Sequence, residues 1–424
     1  MTALAAKRRV SSEYSDGAVT APPLDNPSKR QRSRRLLRAS AGTLWFGVAA
    51  VYLWCPVHRF PAARPFQGRF WYNPYSVITP GTAWQKVNLH AHSRAWAGLT
   101  NGHGSADDVE RRYRALGYDA SPVSNYQIVT RPHGSDSSAL TVYEHGFNLR
   151  KVHFLAVGPR RIDWLDYPLL QGRDEEQHRI DRLRESSALV ILAHPWLRRA
   201  VAEADVRALT GYTAIEIGST FGRSDVAWNV ALDAGRPVWG VANDDSHDAD
   251  GPNESGGFWT MIAAPSTDAH HLESALLAGQ AYAVFGHGGR ADITLTSLSV
   301  VGDTLSVAFS GEAGTLMLIG PGGRVLAEIA RGREARWTIP CDAAWVRVVA
   351  RTATTRLSLE PVLRSQTGAL PRLHASVATT ATAVRRTMAV VLLLLALVPW
   401  IGRDALRFVR PNATRPRLSL SNAA

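Results

Sequence analysis

Between Trp71 and Gly286, short runs rich in β-branched and aromatic residues alternate with segments whose apolar residues recur every three or four positions. That alternation predicts an α/β domain with mostly parallel strands. Strands are expected at 86–90, 152–157, 189–193, 214–218 and 237–242, and helices at 105–116, 174–186 and 268–278. The first helix has a start signal: Ser105 and Asp108 fit a capping box, and Val109, Tyr113 and Leu116 fall on one face. From 291 to 363 the pattern changes to short alternating strands, at 293–300, 304–309, 315–319, 324–329 and 345–350, with a glycine-rich turn at Gly320-Pro321-Gly322-Gly323. This predicts a small all-β sandwich after the α/β domain at 70–288.

Two apolar runs flank these domains. Residues 39–57 carry no charge and contain Leu44, Trp45, Phe46, Leu53 and Trp54, enough to span a bilayer as an uncleaved helix. A second run, centred on Val390 to Val398, predicts a span at 384–402 if Arg385 and Arg386 reach one interface. Basic residues cluster outside both runs, in tails at 1–38 (polar, Arg-rich and expected to be disordered) and 403–424. By the positive-inside rule both tails are cytoplasmic, and the large domain is membrane-tethered and extracytoplasmic, periplasmic or extracellular.

Charge narrows the partners. The chain of 424 residues has a formal net charge of +12, but residues 1–69 hold 12 Lys/Arg against 3 Asp/Glu and residues 370–424 hold 8 against 1. The stretch between them is left with 28 against 32, a formal −4. The main domain is therefore not basic, which argues against nucleic acid as a partner. Two cysteines, Cys55 and Cys341, are too few for a disulfide framework or a thiolate metal site.

The candidate chemistry lies in the histidines and acids at the ends of expected strands. His90 and His92 close the first strand, and in extended chain both imidazoles point to one side. His153 lies on the second; His194 follows Leu189-Val190-Ile191-Leu192-Ala193; Asp245 and His247 follow Val238-Trp239-Gly240-Val241-Ala242. In parallel α/β barrels strand ends gather at one face, where active sites sit. Imidazole and carboxylate ligands suit divalent transition metals, a metal-bound water ionises near neutral pH, and clustered metals clamp the oxygens of displacement at phosphorus. Phosphate ester hydrolysis is the natural chemistry of such a set, with His90, His194 and Asp245 as catalytic candidates. Arg94, Arg131 or Arg198 could hold a phosphate oxygen.

In order and spacing, Asn88-Leu89-His90-Ala91-His92-Ser93, Ala115-Leu116-Gly117-Tyr118-Asp119, Ala193-His194-Pro195 and Asp244-Asp245-Ser246-His247-Asp248 resemble the PHP family, named for polymerase and histidinol phosphatase. The resemblance covers about residues 84–286. It implies a distorted seven-stranded β/α barrel holding two or three metal ions, commonly zinc, manganese or iron, and hydrolysing phosphate esters. Carried over, the metal ligands are His90, His92, Glu144 (the residue that bridges two metals), His153, His194, Asp245 and His247, with Glu216 supporting them from behind. One motif departs: where the family has Asp-His, this chain reads Asn125-Tyr126. Asn125 then belongs behind the ligands, and either fewer metals are held or His145, His103 or Tyr126 substitutes, with His145 preferred.

The first reading is thus a membrane-tethered, metal-dependent phosphoesterase acting on a phosphorylated small molecule or envelope component. The alternative is a catalytically silent PHP-like binding module of the cell envelope, favoured by Asn125 and Tyr126. A third is metal-dependent hydrolysis of another bond, such as an amide.

Overall fold

In the computed structural model of the protein the described residues run from 40 to 408, apart from 41, 43 and 46, with side chains described as far as 395. The tail expected at 1–38 lies outside them, as does the part of 403–424 beyond 408.

Six strands position the histidines and acids: β1 (Trp84–Val87), β2 (Val142–His145), β3 (His153–Val157), β4 (Leu189–Ala193), β5 (Ala214–Ser219) and β6 (Trp239–Ala242). β2 to β6 form one sheet: β2 and β3 pair antiparallel, as do β3 and β4, whereas β4, β5 and β6 are mutually parallel. β4 reads Leu-Val-Ile-Leu-Ala and is buried along its length, as a strand covered on both faces must be. Helices α1 (Ala106–Ala115), α2 (Arg173–Ser186) and α4 (Ala269–Ala278) match the expected helices within a residue or two, and α3 (Asp225–Asp233) is a further helix beyond those expected. The capping box forms: the Ser105 side chain accepts from the Asp108 amide, and the Asp108 carboxylate accepts from the Ser105 amide.

The strands do not close into the expected seven-stranded β/α barrel, nor do residues 291–363 form a separate sandwich. β1 lies in a second, nine-stranded sheet, pairing antiparallel with Phe258–Ala263. That sheet continues through Ala281–Phe285, Arg356–Leu359, Trp345–Arg351 and Thr315–Ile319 to Val325–Ile329. Three of the five strands expected there therefore extend this sheet, and the other two, Leu295–Val301 and Thr304–Ala313, make a three-stranded sheet with Gly332–Thr338. The physical reason lies in the connections. β2 and β3 are joined as a hairpin without the crossover helix that parallel neighbours need, and β1 uses its pairing edge on an antiparallel partner. Beyond β1 the chain meets the segment after β6 through one ladder bridge, Ala91 to Ser246, reinforced by hydrogen bonds from the Asp245 amide to the His90 carbonyl and from the His92 amide to the Ser246 carbonyl, without forming a paired strand.

The two membrane spans expected at 39–57 and 384–402 are also corrected. Among the described residues no helix is long and apolar enough to cross a membrane, so the membrane location and outward-facing domain built on those spans lose their support. In the long helix α5 (Thr379–Phe408), Arg386 and Arg403 confine the uncharged stretch to Thr387–Gly402, short of the about 17–25 residues a span requires. Arg385 and Arg386 do not reach for an interface. Arg385 donates to the Tyr52 carbonyl (3.1 Å) and to Glu175 (2.9 Å), and Arg386 to the Trp54 carbonyl (2.8 Å). They sit at the carbonyl end of the helical segment that ends at Trp54, where cations are favourable.

Candidate metal centre

The ligand candidates converge at the ends of β1, β4 and β6 and on the adjoining faces of β2 and β3. His90 and His92, two residues apart in extended chain beyond β1, put both rings on one side, with centroids 5.1 Å apart. Glu144, on β2, reaches all four neighbouring histidines. Its Oε1 lies 3.5 Å from His90 Nε2 and 3.3 Å from His194 Nε2, and close to His153 Nδ1; its Oε2 lies 3.2 Å from His92 Nε2. Asp245 Oδ1 lies 3.1 Å from His90 Nε2 and 3.3 Å from His92 Nε2. Two triads, His90–Glu144–His194 and His90–His92–Asp245, bring one donor atom from each residue within 4.8 Å of one another and share His90.

These groups fit a metal on the evidence of what they leave unpaired. Glu144 and His90 are fully buried, and His92, His153, His194 and Asp245 nearly so. Yet His90 Nε2, His92 Nε2, Glu144 Oε2, both nitrogens of His153, His194 Nδ1 and Asp245 Oδ1 have no hydrogen-bond partner. Buried polar atoms are normally satisfied, and leaving one unpaired costs about 1–3 kcal/mol. So many unpaired donor atoms gathered at one place suit a bound cation.

The backbone supports this reading. His194 (φ 25°) and Asp245 (φ 53°) sit in the left-handed region although neither is glycine, and such strain gathers where function requires it. The Glu216 carboxylate, buried on β5, holds His194 and His90 together: Oε2 accepts the His194 amide at 3.0 Å, and Oε1 accepts from His90 Nδ1 at 3.1 Å and from Asn243 Nδ2 at 2.9 Å. His90 is thereby fixed with Nε2 facing inward.

The electrostatics follow from opposite charges in a dry place. Burial alone lowers the His90, His92 and His194 imidazoles, but the facing carboxylates, Asp245 and Glu144 foremost, raise all three above their usual value. Burial raises Glu144 and Asp245, but His153 and His90 outweigh it at Glu144, and His90 holds Asp245 down at about 2. His153 is lowered by burial, and His247 is lowered to about 4 by burial and His92.

His247 stands at the edge. Its ring stacks on His92 (4.5 Å between centroids), but its Nδ1 is 3.9 Å from Asp245 Oδ1 and nearer, at 3.1 Å, to the Asp245 carbonyl. His145 is not brought to the centre. It alternates away from Glu144 on β2, and its Nε2 meets the Leu165 carbonyl at 2.9 Å; burial and Arg179 lower it to about 4. His103 is exposed beside Asp248. Asn125 sits behind the ligands: its Oδ1 accepts the Ser93 amide (2.9 Å), and its Nδ2 donates to Ser93 Oγ (2.8 Å) and Thr130 Oγ1 (2.9 Å). Tyr126 lies flat on His92, 4.9 Å between centroids and 19° between planes. Arg131 donates to the Asp136 carbonyl of its own loop.

Sequence reasoning missed the frame beneath the centre. Asp244, next to Asp245, accepts the amides of Gly256, Gly257 and Phe258 and the Tyr113 hydroxyl, which ties the following loop down. Asn88 and Asn243 cross-link the two ligand-bearing segments: Asn88 Oδ1 accepts the Asp244 amide and Asn243 Oδ1 accepts the Leu89 amide. The asparagines flanking both motifs were the available signal.

No family model matches the chain, and no curated protein does. Among solved structures it is similar to a two-domain protein from Bacteroides vulgatus, described as containing a predicted PHP-like metal-dependent phosphoesterase. The identity is 14%, the match covers 72% of this chain and 92% of that one, and the TM-score is 0.35. The likeness is distant, and at that score it carries no weight for the fold or the activity.

Proposed function

We propose that this chain is a metal-dependent phosphoesterase whose ligands are His90, His92, Glu144, His153, His194 and Asp245, with His247 at the rim. The observation that carries the reading is the convergence of buried, unpartnered nitrogen and carboxylate atoms from strand ends far apart in sequence. A mixed imidazole and carboxylate set suits zinc, manganese or iron, and two triads sharing His90 suit two ions better than one. A divalent ion supplies positive charge for phosphoryl oxygens and acidifies water.

The protein's own part is to hold that charge in place. Glu216 keeps the His90 proton on Nδ1, leaving Nε2 free as a donor atom. Glu144 is within reach of both triads. Burial of the ligands keeps the local dielectric low, so charge built there acts strongly on a bound phosphate. The substrate under this reading is a phosphorylated small molecule.

A second reading, a silent binding module, is favoured by Asn125 and Tyr126: the first is committed to Ser93 and the second covers one face of His92, so neither offers the ligand that Asp-His would. Turnover of chromogenic phosphomonoesters and phosphodiesters by the purified chain, with and without chelator, separates the two. Turnover that is lost in chelator and in both His194→Ala and Asp245→Asn supports the phosphoesterase. A folded, metal-loaded protein without turnover on any ester supports the binding module.

A further inference from the structure

Three aromatic side chains face solvent beside the metal centre. Trp96 comes shortly after His92, Phe147 shortly after Glu144, and Trp164 lies in the loop between β3 and α2. They are 37%, 50% and 62% exposed. All three gather around Tyr126, whose buried ring lies flat on His92. Phe147 meets the Tyr126 ring at 5.5 Å between centroids, the Trp96 indole donates Nε1 to the Tyr126 carbonyl at 2.8 Å, and Trp164 meets Trp96 edge-on at 5.9 Å. A single ring, that of Tyr126, therefore stands between this exposed patch and a candidate metal ligand.

The patch is strained and held in place. Exposed as they are, these rings add little to the core, yet Trp96 holds an unfavourable backbone: φ is 52° at Trp96, 53° at Ala97 and 52° at Gln127, the residue after Tyr126. Positive φ is rare in so bulky a residue, and such strain gathers where ligands are held. The loop of Trp164 is anchored at the residues that follow it. There the Leu165 carbonyl accepts from His145 Nε2 (2.9 Å), and the Asp166 carboxylate accepts the Phe147 amide (2.5 Å). Rings fixed before binding lose little freedom when a ligand settles on them.

We propose that Trp96, Phe147 and Trp164 form the substrate platform of the metal centre, and that the substrate is a phosphate ester of a flat aromatic body. The body lies on these rings and the phosphate faces the ligand cluster. This rests on the phosphoesterase reading and narrows its substrate class. Aromatic faces stack on planar rings with little regard to their substituents, and an uncharged platform leaves recognition of the phosphate to the metal centre.

The test is calorimetric titration of the zinc-loaded protein with 2-naphthylmethylphosphonate, which has no ester to hydrolyse, against cyclohexylmethylphosphonate and methylphosphonate. The naphthyl compound should bind more tightly than methylphosphonate by about tenfold or more, and more tightly than the cyclohexyl compound, which is apolar but not flat, by about two- to tenfold. Phe147→Ser and Trp164→Ser, both at exposed positions, should each weaken naphthyl binding by about fivefold or more and leave methylphosphonate binding unchanged. Phe221→Ser removes another exposed ring, which meets His247 rather than Tyr126, and should change neither. Equal binding of the three phosphonates, equal naphthyl affinity in the parent and both platform variants, or a loss in Phe221→Ser as large as theirs overturns the proposal. Chelator-sensitive turnover of phosphate esters tests the phosphoesterase reading separately: if it is present while the three phosphonates bind alike, that reading stands and the aromatic substrate class alone falls.

Discussion

Glu216 Oε1 lies 3.1 Å from His90 Nδ1 while Glu216 Oε2 accepts the His194 amide at 3.0 Å. One buried carboxylate thus orients an imidazole shared by both triads and pins the strained backbone of His194. Groups that orient ligands in this way change metal affinity by about 10–100-fold when removed. Glu216→Gln should therefore weaken metal binding by that range while stoichiometry at saturating metal is retained, as read by titration against a metallochromic indicator. Unchanged affinity would show that Glu216 serves the core alone.

Asn125 is committed on both sides to Ser93 and Thr130, so Asn125→Ala should leave the buried Ser93 amide unpaired and cost about 1–3 kcal/mol of stability. Denaturant unfolding measures the loss. Metal stoichiometry should be unchanged, since no Asn125 atom joins the cluster; a lost ion would make Asn125 a ligand after all.

His145 makes the contrasting case. Its side chain turns from the centre to the Leu165 carbonyl, so His145→Phe should leave metal content intact and act on stability by about 1–3 kcal/mol through the lost buried hydrogen bond. Elemental analysis of the folded variant decides it, and a missing ion would restore His145 as the substitute ligand.

Those contrasts mark how far the sequence was legible. The candidate ligands other than Glu144 could be picked out because each follows or lies on a short apolar run, and because alternation in extended chain fixes where His90 and His92 point. The helix at Ala106–Ala115 was legible from its cap. Strand pairing was not, because the choice of neighbour depends on tertiary packing rather than on local pattern: nothing in Trp84–Val87 says that it will pair antiparallel with Phe258–Ala263. The strand Val142–His145 that carries Glu144 has too short a pattern to stand out. Arg385 and Arg386 looked like charges at a bilayer surface because their actual partners, backbone carbonyls at Tyr52 and Trp54, lie more than 300 residues away in the chain.

A pH effect is expected away from the centre. His58 is clasped between Asp174 (Nδ1 to Oδ1, 3.2 Å) and Asp181 (Nε2 to Oδ2, 3.4 Å) on α2. Burial lowers its pKa, but the two carboxylates outweigh burial and raise it to about 9. Because the folded value lies above the unfolded one, near 6.5, the clasp stabilises fully below about pH 6.5 and its contribution is lost as pH rises to about 9. The carboxylates are partly exposed, so the loss is taken as roughly 1–2 kcal/mol. Unfolding free energies at pH 6 and pH 9 should differ by that much more in the parent chain than in His58→Gln; equal differences would place the charge elsewhere.

The central claim is that the buried nitrogens and carboxylates around His90 are ligands. The most direct measurement is metal content per chain, by elemental analysis of the protein purified without added metal and after dialysis against zinc, manganese or iron, beside His194→Ala and Asp245→Asn. The account predicts about two ions per parent chain and fewer in each variant, with all three proteins folded by circular dichroism. No bound metal in the folded parent chain under any of these conditions, or equal content in parent and variants, would contradict it.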